Sequence, residues 1–278
     1  MSWFWYVCGY QSEGRNWLSR AVELAGDDQS DDLMDSMHML GVLLTQQGDW
    51  AASRTALELC LGYWRSRGNT SFIARELNSL GCGHRSVGEA GVARRLFEES
   101  IRYARSSDDQ SRVATALSNL AILEVDELRP AIAIELLEEA LDIDLRSGDS
   151  WAVVHDQCNL AGALMQADRS ADAWQQLRDH AADVLDLGDT ELTITVIELF
   201  GQSLAELGDA HTAARLLGAS QTLRVRAELP LQVPDAAILA VSIDKVQNLP
   251  DPTTWAANLE AGHALTADEA IAAAVAAR

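Results

Sequence analysis

A large apolar residue followed by a small residue recurs along this chain at intervals of 40 residues. The five pairs are Leu40-Gly41, Leu80-Gly81, Leu120-Ala121, Leu160-Ala161 and Phe200-Gly201. A second small residue follows twelve positions after each pair, at Ser53, Ala93, Ala133, Ala173 and Ala213, and a large apolar one four positions later, at Leu57, Phe97, Leu137, Leu177 and Leu217. Two antiparallel helices approach closely only where small side chains face each other, and large side chains fill the space beside the crossing. The pattern therefore predicts one helix pair per 40 residues.

Turn residues recur with the same period. Within the units they are Gly48-Asp49, Gly88-Glu89 and Gly208-Asp209, and between units Gly68-Asn69, Asp108-Asp109, Gly148-Asp149 and Gly188-Asp189. Glycine just after a helix adopts left-handed dihedral angles without strain, and an acidic residue favours the start of the next helix. Each unit is expected to be a helix, a tight turn, a second helix and another tight turn. The predicted fold is all-α, a right-handed α-α superhelix that forms a solenoid.

The two ends of the chain depart from the period. We expect residues 1–229 to form one truncated and five full repeats, and residues 230–278 to form a helical C-terminal cap over the last repeat. Three segments of the cap are predicted helices: Asp235–Asn248, Thr253–His263 and Ala267–Ala277. The truncated first unit suggests a fragment of a longer protein, and the alternative is a complete gene with a frayed first helix. Trp3, Phe4, Trp5 and Tyr6 would be covered by upstream sequence in the fragment, and they are also a candidate self-association surface.

Composition excludes several functions. The chain has 42 acidic and 21 basic residues, a net charge of −21, which repels nucleic acid and anionic lipid. Four cysteines (Cys8, Cys60, Cys82 and Cys158) lack CxxC spacing, as is typical of a reducing compartment. No cleavable signal or apolar stretch of about 20 residues is present in the sequence. We expect a cytoplasmic protein.

The segment from Leu40-Gly41 through Gly48-Asp49 to Leu57 resembles the tetratricopeptide consensus, although that repeat usually has about 34 residues. A closer resemblance covers nearly the whole chain. The opening Trp3–Val7 and Glu13–Leu18, and the closing Ala213–Ala219, Leu229-Pro230 and Trp255, resemble the helical C-terminal region of bacterial LuxR-type and antibiotic-regulator-type transcriptional regulators.

In that family a signalling ATPase precedes the repeats, and a DNA-binding or cyclase domain lies at one end. This chain has no GxxxxGK[ST] motif. The resemblance therefore implies a sensor or autoinhibitory module, with ATP hydrolysis and DNA binding carried out elsewhere.

The residues that could support catalysis or metal binding give weak indications. His155 and Cys158 lie three apart on one predicted helix, but a structural zinc site needs about four ligands and no second pair has suitable spacing. Cys82 and His84 point about 200° apart on a helix, which argues against a catalytic pair. We predict no enzymatic activity, no metal and no cofactor.

Positions in each unit can be counted from the small residue of its first helix, and we call this numbering the repeat frame. The repeat frame selects a candidate binding groove on the inner face of the first helices. Five positions face inward in each unit: six, three and two before the small residue, and one and four after it. From these positions, together with Gln166 beside one of them, we selected His38, Arg75, Asn78, Ser79, Cys82, Arg85, Thr115, Ser118, Asn119, His155, Cys158, Asn159 and Gln166, a polar set without an acid. The predicted ligand-contacting residues are Arg75, Asn78, Cys82, Arg85, Ser118, Asn119, His155 and Asn159.

Two interpretations of these arginines remain open. In the first, Arg75 and Arg85 bind an anionic peptide segment or small ligand, and the asparagines satisfy its polar groups. In the second, the arginines of the locally basic stretch 65–112 only solvate helix surfaces and pair with nearby acids, as Arg94 would with Glu98. The corresponding functions are a regulatory module that binds a partner domain, peptide or effector, and a small-molecule sensor that controls an attached ATPase or cyclase.

Overall fold

A computed structural model describes residues 10–25, 30–230 and 252–277. These ranges contain fourteen helices and no strand. The helices are α1 (Gln11–Ala25), α2 (Asp31–Gln46), α3 (Trp50–Arg67), α4 (Thr70–Ser86), α5 (Ala90–Ser106), α6 (Gln110–Asp126), α7 (Pro130–Ser147), α8 (Ser150–Gln166), α9 (Ser170–Asp179), α10 (Ala181–Leu187), α11 (Thr190–Glu206), α12 (Ala210–Ala227), α13 (Pro252–Gly262) and α14 (Ala267–Val275). None of the helices in these ranges has the length and apolarity that a membrane span requires.

The predicted period is confirmed. The first helices of the five full repeats (α2, α4, α6, α8 and α11) and the second helices (α3, α5, α7, α9 with α10, and α12) begin at intervals close to 40 residues. Asp or Asn caps many of them: the side chains of Asp49, Asn69, Asp109, Asp149, Asp189 and Asp209 each accept a hydrogen bond from a backbone N–H three residues ahead. Gly68, Gly148 and Gly188 adopt left-handed dihedral angles just after their helices.

The predicted contacts between small and large residues hold the helix pairs together. A Cβ added to Gly81 would lie 2.5 Å from Cε1 of Phe97, and one added to Gly41 would lie 2.8 Å from Leu57. Ser53 lies at the same crossing and donates a hydrogen bond of 2.7 Å to the carbonyl of Gly41. The pattern of small and large residues thus sets the distance between paired helices.

One predicted helix is interrupted. The second helix of the fourth repeat is divided at His180 into α9 and α10. The equivalent residues of the other repeats are Cys60, Ser100, Ala140 and Ser220, all small and all buried. An imidazole is too large for a position that packs against the facing helix, so the continuous helix is lost there.

The C-terminal helices pack on the end of the array. Helices α13 and α14 match two of the predicted segments, whereas Asp235–Asn248 lies outside the described residues, as do Trp3, Phe4, Trp5 and Tyr6. Helix α13 meets α12 so closely that a Cβ on Gly218 would lie 2.0 Å from the carbonyl oxygen of Leu259. Trp174 donates from Nε1 to the carbonyl of Ala274 in α14, at 3.4 Å. The division into an array and a cap remains a prediction.

The superhelix curls until its two ends meet. Gln46, at the end of α2, hydrogen-bonds through Nε2 to the carboxylate of Glu191 in the first turn of α11. Ser12 of α1 donates to the carboxylate of Glu228, which follows α12. The first and fifth repeats therefore contact each other across the mouth of the groove.

Candidate functional site: the inner groove

Successive first helices lie side by side and exchange polar contacts that link residues 38 to 41 positions apart. These contacts are His38–Glu76, Arg75–Asp35, Ser71–Asp109, Arg112–Ser71, Asn119–Asn78, Arg85–Asp126, Ser118–Asp156, Gln166–Val125 and Trp151–Asp189. The separation equals about one repeat, so each contact joins a first helix to the next one. The inner face is therefore a continuous hydrogen-bonded layer.

Arg75 and Arg85 already have carboxylate partners. Arg75 donates to Asp35 at 2.7 Å and to Glu76 at 2.9 Å. Arg85 forms a two-pronged ion pair with Asp126, with N–O distances of 2.5 and 3.1 Å. The side chains of Arg85 and Asp126 are only 13% and 8% exposed, so water screens this pair weakly.

The expectation of an acid-free inner face is therefore wrong. Asp35 and Glu198 occupy two of the inward positions of the repeat frame, in the first and fifth repeats. Glu76 and Asp156 lie one residue from inward positions and are buried against the neighbouring first helix. The acids that neutralise the arginines of this face come partly from the positions adjacent to the inward ones.

The other arginine prediction is corrected as well. Arg94 pairs with Glu124 of α6 and with Glu127, which follows that helix, and not with Glu98 one turn away in its own helix. Arg94 thus links the second helix of its own repeat to the first helix of the next repeat. The pairing with the next repeat is favoured because the guanidinium group reaches two carboxylates at once.

Asparagine, serine and histidine side chains of the second, third and fourth repeats form a polar cluster next to these ion pairs. Asn119 donates to Asn78 at 3.1 Å, and Ser118 donates to the buried carboxylate of Asp156 at 2.7 Å. Nδ1 of His155 lies 3.2 Å from Oδ1 of Asp156 and 3.2 Å from Nδ2 of Asn159. Burial lowers the pKa of His155, but the hydrogen bond and charge of Asp156 and the charges of Asp189 and Glu191 outweigh it, so the pKa is raised.

The thiols near the groove are not activated. Burial raises the pKa of Cys82 to about 11 and that of Cys158 to about 12. His84 does not face Cys82: its Nδ1 lies 2.5 Å from the carboxylate of Glu89, and its ring packs against Trp50. The eight predicted ligand-contacting residues lie on α4, α6 and α8, and two pairs of them bond to each other, Asn78 with Asn119 and His155 with Asn159.

Glu191 is the groove residue that sequence reasoning missed. It extends from α11 to Gln46 of the first repeat, and its charge raises the pKa values of both Cys82 and His155. Its proximity to three other repeats depends on how far the superhelix curls, which the repeat period does not specify.

Comparison with known proteins supports the fold. The family model described as "Tetratricopeptide repeat" matches residues 33–66, which span α2 and most of α3. No curated protein shows significant similarity to the chain. Among solved structures, the chain is similar to BtubC (BKLC) from P. vanneervenii, with a TM-score of 0.58 and 18% identity over 78% of this chain and 91% of that one.

A second solved structure is similar over a comparable length. A crystal structure of putative kinesin light chain nearly identical TPR-like repeats from P. anserina has a TM-score of 0.51 and 17% identity, and covers 70% of this chain and 96% of that chain. At these identities the likeness concerns the fold alone. The protein is thus a tetratricopeptide-like helical solenoid, a class of scaffold that generally mediates contacts between proteins.

Proposed function

We propose that this chain is the protein-binding regulatory sensor module of a bacterial transcriptional regulator, and that its inner groove receives a carboxylate-bearing segment of a partner. The resemblance of both ends of the chain to that regulator class supports the biological context. The main support for the binding mode is Glu191, because a carboxylate from the fifth repeat already lies in the groove against Gln46 and near His155.

The proposed mechanism is displacement. A partner carboxylate takes the place of Glu191, and the contact between the first and fifth repeats is released. A ligand can shift such an equilibrium only by the difference in its affinity for the closed and open forms. Binding at the groove is thereby coupled to the curvature of the whole solenoid.

The partner is a neighbouring ATPase or DNA-binding domain, or a separate protein, in the cytoplasm. DNA contacts belong to those domains because the net charge of this chain is −21, and ATP hydrolysis belongs to them because this chain has no GxxxxGK[ST] motif. Residues 1–229 serve as the binding array and residues 230–278 as its cap. The proposal assigns no catalytic residue, metal or cofactor to the chain.

The second candidate function is a small-molecule sensor that controls an attached ATPase or cyclase. A cavity of about 540 Å³ between α7, α8 and α10 favours it, because small-molecule sites have volumes of roughly 300 to 1,000 Å³.

Selection of phage-displayed peptides on the immobilised chain tests the groove. We expect Asp- or Glu-containing peptides whose affinity, measured by fluorescence anisotropy, rises about tenfold in Glu191→Gln, since the competing charge is gone. His155→Ala should weaken the same peptides, and Glu135→Gln, an exposed acid on α7, should leave them unchanged. Selected peptides that lack acidic residues, or that bind all variants equally, would contradict the proposal.

The regulatory context needs a separate experiment in cells. Removing this module from a regulator that contains it should change the output of target genes and leave the intrinsic DNA affinity intact. Loss of the DNA affinity itself would show that the module has more than a sensor role.

A further inference from the structure

The cavity between α7, α8 and α10 has features of a binding site that is separate from the groove. It has a volume of about 540 Å³. Its lining includes the apolar side chains of Leu145 and Val153 and the polar side chains of Gln157, Asp183 and Asp186. The inference drawn from it does not depend on the function proposed for the groove.

Polar residues line this cavity at positions where the equivalent residues of the other repeats are large and apolar or aromatic. The residues equivalent to Gln157 are Leu77, Leu117 and Ile197, which are 1%, 2% and 0% exposed. Those equivalent to Asp183 are Tyr63, Tyr103, Ile143 and Leu223. At both positions the fourth repeat alone among these units has a polar residue where the others are large and hydrophobic or aromatic.

A comparison with the first two repeats shows what fills the equivalent space there. Trp64 of α3 stacks on Phe72 of α4, with ring centroids 4.2 Å apart. The equivalent residues two repeats later are Asp144 and Ala152. Neither side chain has the volume of an indole or a phenyl ring, so no aromatic stack fills this junction.

The break at His180 adds to the opening. Two of its small counterparts, Cys60 and Ser100, donate hydrogen bonds to carbonyls of the facing first helix, those of Met34 and Ala74. His180 makes no such contact and lines the cavity, with Nδ1 3.3 Å from the carboxylate of Asp183. Helix α10 then begins anew and supplies Asp183, Asp186 and Leu187 to the wall.

The polar groups of this cavity are mainly hydrogen-bond acceptors. Oε1 of Gln157 is buried and has no hydrogen-bond partner, although buried amide oxygens are normally bonded. Asp144, which precedes the lining residue Leu145, is 4% exposed. No lysine or arginine is among the lining residues. Helices α7 and α10 end beside this cavity and α8 begins beside it, so the negative charge of the lining comes from Asp183 and Asp186.

We propose that this cavity binds a small organic cation, an amidinium, guanidinium or ammonium group attached to an apolar body. The N–H groups of such a cation would pair with Asp183 and Asp186 and would bond to Gln157 after a rotation of its side chain brings Oε1 to the cavity, and the apolar part of the cation would pack on Leu145 and Val153. At this one junction of an otherwise regular array, positions that are apolar or aromatic in the other repeats carry polar residues. Such departures from the core pattern are expected at functional sites.

Calorimetric titration with three probes of nearly equal shape tests the proposed chemistry. Benzamidine is cationic, benzamide neutral and benzoate anionic. We expect saturable 1:1 binding of benzamidine that is at least about tenfold tighter than that of benzamide, and no binding of benzoate. Equal binding of benzamide would overturn the proposal, as would no saturable binding of benzamidine, phenethylamine or agmatine up to about 10 mM.

Variants of the cavity test its location. Gln157→Leu restores the residue type of the equivalent positions and removes the unpaired acceptor, so it should abolish benzamidine binding while keeping or raising the melting temperature. Asp183→Asn should weaken binding at least about threefold. Asp142→Asn removes an exposed charge on the same helix as Leu145 and should change nothing. An equal loss in Asp142→Asn, or full binding by Gln157→Leu, would show that the cation does not bind in this cavity.

Discussion

One buried carboxylate, that of Asp144, makes the stability of this solenoid depend on pH. Asp144 is 4% exposed and lies in the last turn of α7, where the helix dipole opposes a negative charge. Burial, together with the charges of Asp156 and Asp149, raises its pKa from 3.8 to about 6. The folded chain therefore holds this proton more tightly than the unfolded chain. The stabilisation is present below about pH 4 and is lost as the pH rises through 6.

Asp144→Asn should stabilise the protein at neutral pH. The substitution removes an ionised group from a buried position, so we expect the free energy of unfolding above pH 7 to rise by up to about 3 kcal/mol. The gain should shrink progressively between pH 6 and pH 4. Urea unfolding across this range measures it, and a gain that is independent of pH would mean that the charge is not responsible.

At the scale of helices, close approach through glycine holds the C-terminal helices on the array. A Cβ on Gly218 would lie 2.0 Å from a backbone oxygen of α13, and one on Gly262 would lie 2.1 Å from the carbonyl oxygen of Arg215 in α12. Backbone atoms cannot move aside as a side chain can. This contact therefore sets the separation of α12 and α13.

Gly218→Ala should separate these two helices. We expect destabilisation of about 1–3 kcal/mol from the steric overlap, and faster hydrogen exchange in α13 and α14 than in the wild type. Gly62→Ala is the matched control, because a Cβ there meets nothing within 4 Å. That control should stabilise its helix by about 0.5–1 kcal/mol. Equal effects of the two substitutions would argue against the tight contact.

The break between α9 and α10 should be repairable by one substitution. His180→Ser introduces the residue found at the equivalent position in the second and fifth repeats. Its hydroxyl can donate to a carbonyl of α8, as Ser100 does to Ala74 of α4. We expect slower amide exchange at residues 178–183 and a higher melting temperature. Unchanged exchange in this segment would mean that residues other than His180 interrupt the helix.

At the scale of the whole molecule, the superhelix is closed by contacts between its first and fifth repeats. Gln46→Cys/Glu191→Cys should therefore be cross-linked rapidly by a short bismaleimide, because the two residues meet through the tips of long side chains and a linker is needed to span their backbones. The control pair Gln46→Cys/Thr195→Cys moves the second cysteine one helical turn along α11 and should cross-link more slowly. Cys8 is replaced by serine in both variants, and native Cys60, Cys82 and Cys158 should not interfere at pH 8, because burial raises their pKa values to about 12, about 11 and about 12. Mobility in non-reducing electrophoresis measures the outcome, and equal rates for both pairs would contradict the closed form.

The sequence by itself determined the helices, their pairing and the 40-residue unit. These features depend on contacts between residues that are close in the sequence. Examples within one repeat are the contact of Gly81 with Phe97 and the helix cap formed by Asn69. The same frame placed Arg75, Asn119 and His155 on one inner face. It also marks Gln157 and Asp183 as exceptions, which makes the cavity a feature that the sequence could have indicated.

Only the tertiary structure decided what those side chains bind. The acids that neutralise Arg75 and Arg85 come from neighbouring repeats, and Glu191 reaches the groove because the superhelix curls through four repeats. Small rotations between successive helix pairs add up along the array to produce that curvature. No single repeat specifies it, so a periodic sequence predicts the unit far better than the distance between the two ends.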